Sequence, residues 1–254
     1  MVISNEEELE GMKRISDAVA VTLKQMREHA RVGMSTKELD EYGGMLLNQY
    51  GAKSAPKVSY DFPGWTCISL NDEIAHGIPS EKRILQEGDL INIDVSAELG
   101  GFFSDNGGSF VLGEDIHHHQ KLVDASRNIL RTAIMSIHGG LEVSRLGLLI
   151  ETEAKRAGYK VIKDLSGHGV GRKLHEEPLE ILNWQDRSYK QRFRKGGVVA
   201  IETFITTFSS YTKTDSNGWT LTGERGGFGC QHEHTILVTD SEPVILTEKN
   251  GIWD

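Results

Sequence analysis

A pair of amphipathic stretches followed by strands, and then the same order a second time, narrows the possible folds of this chain more than any other feature. Leu9, Met12, Ile15, Val19, Leu23 and Met26 recur at helical spacing after Asn5, which predicts a helix over about 5–29. Ser35 and Glu38 have the spacing of a capping box, Leu39, Tyr42, Met45 and Leu46 carry on the apolar stripe, and Gly51 closes it. That pattern predicts a second helix over about 36–50. Gly-bounded, β-rich segments follow at Cys67–Leu70, Leu90–Glu98 and Gly101–Leu112. Helical patterns return near 120–138 and 144–157, and strands at Gly197–Phe208, Trp219–Thr222, His232–Thr239 and Val244–Leu246. Helices that come in pairs, rather than alternating singly with strands, indicate an α+β fold and not a doubly wound one. The repeat divides the 254 residues into halves of about 1–118 and 119–254. No Pro-rich or Ser-rich linker parts them, so a single domain, 1–254, is expected.

Composition excludes several classes of function. Hydrophobic residues make up 38% and charged residues 26%, enough for a large core in a chain this long. The net charge of −9 argues against phosphate-backbone binding and against docking on anionic lipid. Two cysteines, Cys67 and Cys230, make no disulfide framework, so a reducing compartment is expected. The opening Met1–Glu10 is acidic and lacks the apolar stretch of a secretory leader. No run approaches the roughly 18 apolar residues of a membrane span. The cytoplasm is the expected location.

The chemistry is signalled by carboxylates in strands that should be apolar. Asp94 sits within Leu90-Ile91-Asn92-Ile93-Asp94-Val95, and Asp105 follows Phe102 and Phe103 in the next strand. Asp is depleted in strands, and its burial is costly unless it is paired or binds metal. A two-residue turn at Leu99-Gly100 would set Asp94 directly opposite Asp105, where two carboxylates repel unless a cation or a proton lies between them. The second half repeats the motif, with Glu202 inside Val198–Phe204 and Glu233 inside Gln231–Val238. His168 lies among glycines in Gly167-His168-Gly169-Val170-Gly171, where the backbone can turn tightly, His175 follows seven residues on, and His76 occupies Ile74-Ala75-His76-Gly77. Four carboxylates and one imidazole suit two divalent cations, with Mn, Fe, Co and Zn all compatible with such ligands. Two such cations can acidify a water and clamp a tetrahedral species, which is hydrolytic chemistry.

Along nearly its whole length the chain resembles type I methionine aminopeptidase, of the pita-bread fold. The resemblance rests on Cys67–Glu73, His76-Gly77-Ile78-Pro79, Asn92-Ile93-Asp94, Asp105, Gly167–Gly171, His175-Glu176-Glu177-Pro178, Ile201-Glu202 and Glu233-His234-Thr235, in that order. It implies two pseudo-symmetric halves of helices packed on a curved, mainly antiparallel sheet. It implies that Asp94 chelates one of two divalent ions (Co, Mn, Fe or Zn), that Asp105 and Glu233 bridge both, and that His168 and Glu202 complete the other, with Glu202 helping to move the proton of a metal-bridging water. His76 and His175 would contact the substrate amide without binding metal. Phe62, Cys67, Leu174, Phe204 and Trp219 would line or border the methionine pocket. The implied reaction is hydrolysis of the initiator methionine from nascent chains with a small second residue. Nascent polypeptide N-termini, met at the ribosome, would be its partners, and the enzyme would be a monomer with no membrane or nucleic-acid motif.

Thr203, Asn106 and Leu174 stand where the family commonly has Pro, Thr and Phe, and these departures bear on pocket shape and metal preference. Two other readings compete. A proline-directed peptidase of the same fold would usually carry a further N-terminal domain. A non-catalytic relative would tend to lose metal ligands and gain basic surface, whereas all five ligand positions are filled here. The run His117-His118-His119 reads as a solvated loop, and Gly167–Gly171 lacks the spacing of a phosphate loop.

Overall fold

The computed structural model describes residues 1–253. Helices α1 (Glu6–His29) and α2 (Thr36–Gln49) open the chain, followed by β1 (Lys53–Ser54), the short helix α3 (Ala55–Tyr60), β2 (Cys67–Leu70), β3 (Glu73–Ala75), β4 (Leu90–Leu99) and β5 (Phe102–Val111). Helices α4 (Gln120–Met135) and α5 (Val143–Arg156) precede β6 (Lys160–Val161), β7 (Ser166–Gly169), β8 (Glu176–Leu182), β9 (Val198–Thr206), β10 (Thr212–Thr214), β11 (Leu221–Gly223), β12 (Gly229–Leu237) and β13 (Val244–Ile245). The main sheet runs β1-β4-β5-β12-β9-β7-β8, with β2 on β4, β6 on β9 and β13 on β12. Every pairing is antiparallel. Strands β10, β11 and β3 form a small second sheet.

Caps set the helix starts. Asn5 accepts from the Glu8 amide at the head of α1, and Ser35 and Glu38 form the expected reciprocal capping box on α2. Met12, Ile15, Val19, Leu23 and Met26 of α1 are fully buried, each such side chain stabilising the fold by about 1.5–3 kcal/mol. Helix α1 packs on β4 and β5, and α4 on β9 and β12.

Alternation along the strands then divides the sheet into two faces. Ile91, Ile93, Val95 and Ala97 of β4 join the core under α1. Asn92, Asp94 and Ser96 therefore point away from it. Two polar contacts fix the same division: Ser16 of α1 hydrogen-bonds Ser104 at 2.9 Å, and Ser126 of α4 bonds His232 at 2.9 Å. His232 and His234 thus face the helices, and Glu233 between them faces the other side.

The register of the β4–β5 hairpin corrects the expected one. The turn is Gly100-Gly101, not Leu99-Gly100, and both glycines have positive φ, 62° and 81°. That is the geometry of a two-residue primed turn, which Gly-Gly adopts without a Cβ penalty. Asp94 consequently opposes Gly107, and Asp105 opposes Ser96. The two carboxylates share a face but are diagonal rather than opposed. The glycines around His168 are a second correction, because they form strand β7 and not a tight turn. A Cβ on Gly167 would lie 2.5 Å from the Ala200 carbonyl oxygen, and one on Gly169 would lie 2.4 Å from that of Glu177. These glycines serve close strand approach.

Candidate metal centre and substrate cavity

Antiparallel register places the acids in one transverse row. Cys67 opposes Asp94, Asp94 opposes Gly107, Gly107 opposes Glu233, and Glu233 opposes Glu202. Two residues along, Asp105 opposes Ser96 and His168 opposes Ala200. Thr235 joins these two segments: its Oγ1 donates to the Asp105 carbonyl at 2.7 Å and accepts from the Asp105 amide at 3.1 Å. Five strands, β4, β5, β12, β9 and β7, thereby deliver four carboxyls and an imidazole to one face.

The donors converge. One atom from each of Asp105, His168 and Glu233 lies within 4.8 Å of the other two. His168 Nε2 is 3.9 Å from Asp105 Oδ2 and 4.0 Å from Glu202 Oε1. His168 Nδ1 donates to the Gly169 carbonyl at 3.0 Å, which fixes the tautomer and leaves the Nε2 lone pair facing the carboxyls. Asp105 Oδ1 and Glu233 Oε1 are buried with no hydrogen-bond partner. Two unsatisfied carboxyl oxygens beside an imidazole lone pair fit a divalent cation, since buried acceptors otherwise find donors.

Electrostatics agree with that fit. Burial, ahead of all else, raises the Asp94 carboxyl to about 6. Burial and then the neighbouring carboxylates push Asp105, Glu202 and Glu233 well above the usual range. Burial lowers His168 to about 3, so its imidazole is neutral and available as a ligand. The set is short of positive charge.

A cavity of about 400 Å³ opens onto this row. Asp94, Asp105, His168 and Glu202 stand at it, as do His76 and His175. Phe62, Cys67, Leu174, Phe204 and Trp219 supply its apolar wall. Phe62 and Trp219 meet edge to face, with ring centroids 5.2 Å apart. Every residue expected from the sequence is therefore at this cavity or, for Glu233, in the donor cluster behind it. The Cys67 thiol is pushed well up by burial and then by Asp94, which leaves it neutral and a wall group rather than a nucleophile. A larger hollow of about 730 Å³ shares His175 and Leu179 with the cavity, but Lys173, Arg192 and Arg194 line it and none of the five donors does.

The two further histidines are held differently. His76 adopts a left-handed φ of 55°, a conformation that a non-Gly residue keeps only where its surroundings enforce it. The enforcing contact is Gly77, whose amide donates to Ser69 Oγ at 3.1 Å, and where any Cβ would strike the Ile68 carbonyl oxygen at 2.2 Å. The His175 ring lies 4.1 Å from that of His168, and its Nδ1 hydrogen-bonds Tyr60 Oη at 2.5 Å.

Tyr60 was not singled out by the sequence, because six-residue α3 is too short to show a period. Gln231, which donates to Glu233 Oε2 at 2.9 Å, was missed too, although its place two residues before Glu233 puts it on the same face. Replacing Tyr60 by Phe deletes one hydrogen bond to His175, worth about 0.5–1.5 kcal/mol. The expected result is a fall in kcat of roughly 2- to 10-fold with little change in KM. Unchanged kcat in steady-state assays would mean that the contact does not position His175.

Two departures from the common family pattern lie off the cavity. Asn106 faces the helices, donating to the Val95 carbonyl at 2.9 Å and accepting from Asn250 Nδ2 at 3.0 Å, and so ties the C-terminal turn to β5. Thr203 is buried on the helix side of β9. Only Leu174 touches the cavity.

Comparisons with known proteins agree with this geometry. Residues 10–240 match the metallopeptidase family M24. The chain is 46% identical over 248 residues to methionine aminopeptidase 2 of Bacillus subtilis (strain 168), covering 98% of this chain and 100% of that one. It superposes on the crystal structure of a methionine aminopeptidase from Thermotoga maritima with a TM-score of 0.92, at 31% identity, covering 97% of this chain and 99% of the other. A methionine aminopeptidase from Rickettsia prowazekii gives a TM-score of 0.91 at 28% identity, with 97% and 100% covered. The chain belongs to metallopeptidase family M24 and has the pita-bread fold. Membership of a metallopeptidase family carries with it the use of divalent metal. No helix among the described residues is long and apolar enough to cross a membrane.

Proposed function

We propose that this protein removes the initiator methionine from nascent chains with a small second residue, acting as a cytoplasmic monomer on chains emerging from the ribosome. The observation that carries this reading is the convergence of buried Asp105, His168 and Glu233, with Asp94 and Glu202 beside them, at a cavity whose other wall is apolar and aromatic. Asp94, Asp105, His168, Glu202 and Glu233 would hold two divalent cations, Co, Mn, Fe or Zn. When bound, such cations polarise a carbonyl and acidify a water.

The chain's own groups account for the rest. Phe62, Cys67, Leu174, Phe204 and Trp219 take the unbranched methionine side chain, which adapts to an irregular apolar wall. A free α-amine would bind near the cations that the acid row holds, a contact that an acylated N-terminus cannot make, so only the first residue is cut. Glu202, at the cavity and 4.0 Å from His168 Nε2, suits transfer of a proton from the attacking water to the departing amine. His76 and His175, both kept neutral by burial, donate hydrogen bonds where charge builds on the scissile carbonyl. The halves of about 1–118 and 119–254 act as one catalytic domain, a reading supported by the acids set in mid-strand in both β4 and β9.

The test is hydrolysis of Met-Ala-Ser by metal-stripped protein, with Mn²⁺, Co²⁺, Fe²⁺ or Zn²⁺ restored singly, and with N-acetylated Met-Ala-Ser and Leu-Ala-Ser as controls. Metal-dependent release of Met from the free-amine peptide alone is expected. No release with any of the four sinks the proposal. His76→Ala and His175→Ala should each lower kcat by about 10²–10³-fold while bound metal, counted by atomic emission, stays at the wild-type level. Loss of metal from either would move that histidine into the ligand set.

A further inference from the structure

The acid row has one position with no side chain. Gly107 stands between Asp94 and Glu233, and the Gln231 side chain occupies the space a Cβ there would need, with Oε1 only 2.2 Å from that point. From this gap Gln231 Nε2 donates to Glu233 Oε2 at 2.9 Å and reaches Glu202 Oε2 at 3.5 Å. Its amide cannot turn over without loss. Asn92 Nδ2 donates to Gln231 Oε1 at 2.8 Å, so a flipped amide would set donor against donor on one side and oxygen against carboxyl on the other. Asn92 is itself held, donating to Ser109 Oγ at 3.2 Å and to the Gln231 carbonyl at 3.1 Å. Gln231 is 1% exposed and Asn92 6%.

We propose that Gln231, oriented by Asn92 and admitted by the missing side chain at Gly107, is a positioning residue for the cation ligands. It engages Oε2 of Glu233 and steadies Glu202, so that Glu233 Oε1, the oxygen without a partner, faces the ion pocket before any ion arrives. An uncharged donor does this without adding a counter-charge that would compete with the cation. A Lys in the same place would neutralise the row, and an apolar residue would leave both glutamates free to turn away. The inference rests on the reading of Glu202 and Glu233 as cation ligands.

The experiment is calorimetric titration of metal-stripped protein with Mn²⁺. The variants are Gln231→Met, which keeps length and loses the donor, Asn92→Ala, and the two combined. Gln231→Met should bind Mn²⁺ about 10- to 100-fold more weakly, the usual effect of removing a group that orients a ligand. Asn92→Ala should weaken binding in the same direction, and should add nothing to Gln231→Met, because it acts through Gln231. Thermal unfolding in chelator separates a structural role, which would lower the melting temperature of the metal-free protein and leave its Mn²⁺ affinity intact. Wild-type affinity in Gln231→Met overturns the inference and leaves the ligand assignment standing. Should that variant not fold, wild-type affinity in Asn92→Ala overturns it equally. Wild-type protein that binds no Mn²⁺ overturns the ligand assignment itself, and this inference with it.

Discussion

Glu202→Ala is expected to give a folded protein that no longer releases methionine from Met-Ala-Ser. Glu202 stands at the end of the acid row, opposite Glu233 and 4.0 Å from His168 Nε2. Removing it takes away a proposed ligand and the proposed proton carrier together. Loss of proton transfer alone costs roughly 10²–10⁴-fold in rate, and loss of a ligand adds to that. Folding should survive, because the group lost is a buried acid held among other acids. Its pKa lies well above the ordinary value, so ionising it opposes folding at neutral pH in the metal-free state. In chelator at pH 7.5 the variant should therefore melt no lower than wild type. Asp94→Ala should behave alike. Near-normal kcat in either variant would sink the site assignment.

The second large effect is on stability after metal removal. Asp94, Asp105, Glu202 and Glu233 all have folded-state pKa values above their unfolded ones. Such groups contribute stability fully below the unfolded pKa and lose it as pH rises through the folded pKa. Three buried imidazoles, His168, His232 and His234, have pKa values lowered to about 3 and act in the opposite sense, favouring the fold as pH rises toward their unfolded value of 6.5. Above about pH 7.5 they are neutral in both states; the Met1 amino group, lowered by burial to about 6, favours the fold as pH rises toward 8, so the four carboxyls set a falling slope against that one opposing group. Chelated protein should lose about 1.4 kcal/mol per pH unit for each proton the cluster still holds, or roughly 3–5 °C in melting temperature. Saturating Mn²⁺ should abolish the fall, and Glu233→Gln in chelator should reduce it. A melting temperature that holds or climbs from pH 6.5 to 8.5 in chelator would contradict the buried, proton-sharing cluster.

Sequence patterns carry the helices and the site acids for a simple reason. Helical period and caps are local, and a carboxylate inside a run such as Leu90–Val95 conflicts with its neighbours in a way that one strand displays by itself. The donor set Asp94, Asp105, His168, Glu202 and Glu233, and the wall residues from Phe62 to Trp219, were all reached in this way or through the family resemblance. What stayed hidden depends on pairing. The β4–β5 register turned on which two residues made the turn, and three consecutive candidates, Leu99, Gly100 and Gly101, allowed two answers that differ by a diagonal. The strand at Ser166–Gly169 was masked because its glycines answer to the Ala200 and Glu177 carbonyls, contacts that no local pattern records. Gln231 and Tyr60 looked like ordinary polar residues until Glu233 and His175 were placed beside them.

The position of β12 in the sheet has a consequence for biosynthesis. It is the last long strand in the chain, Gly229–Leu237, yet it lies at the sheet centre between β5 and β9. Until it is threaded between them, Asp94 and Asp105 on one side and His168 and Glu202 on the other belong to separate, unjoined ribbons. A chain synthesised only as far as β9 therefore holds the two ribbons without the strand that joins their acids into one row. A proteolytic fragment ending before Gly229 would keep four of the five donors and still have no centre for them to share.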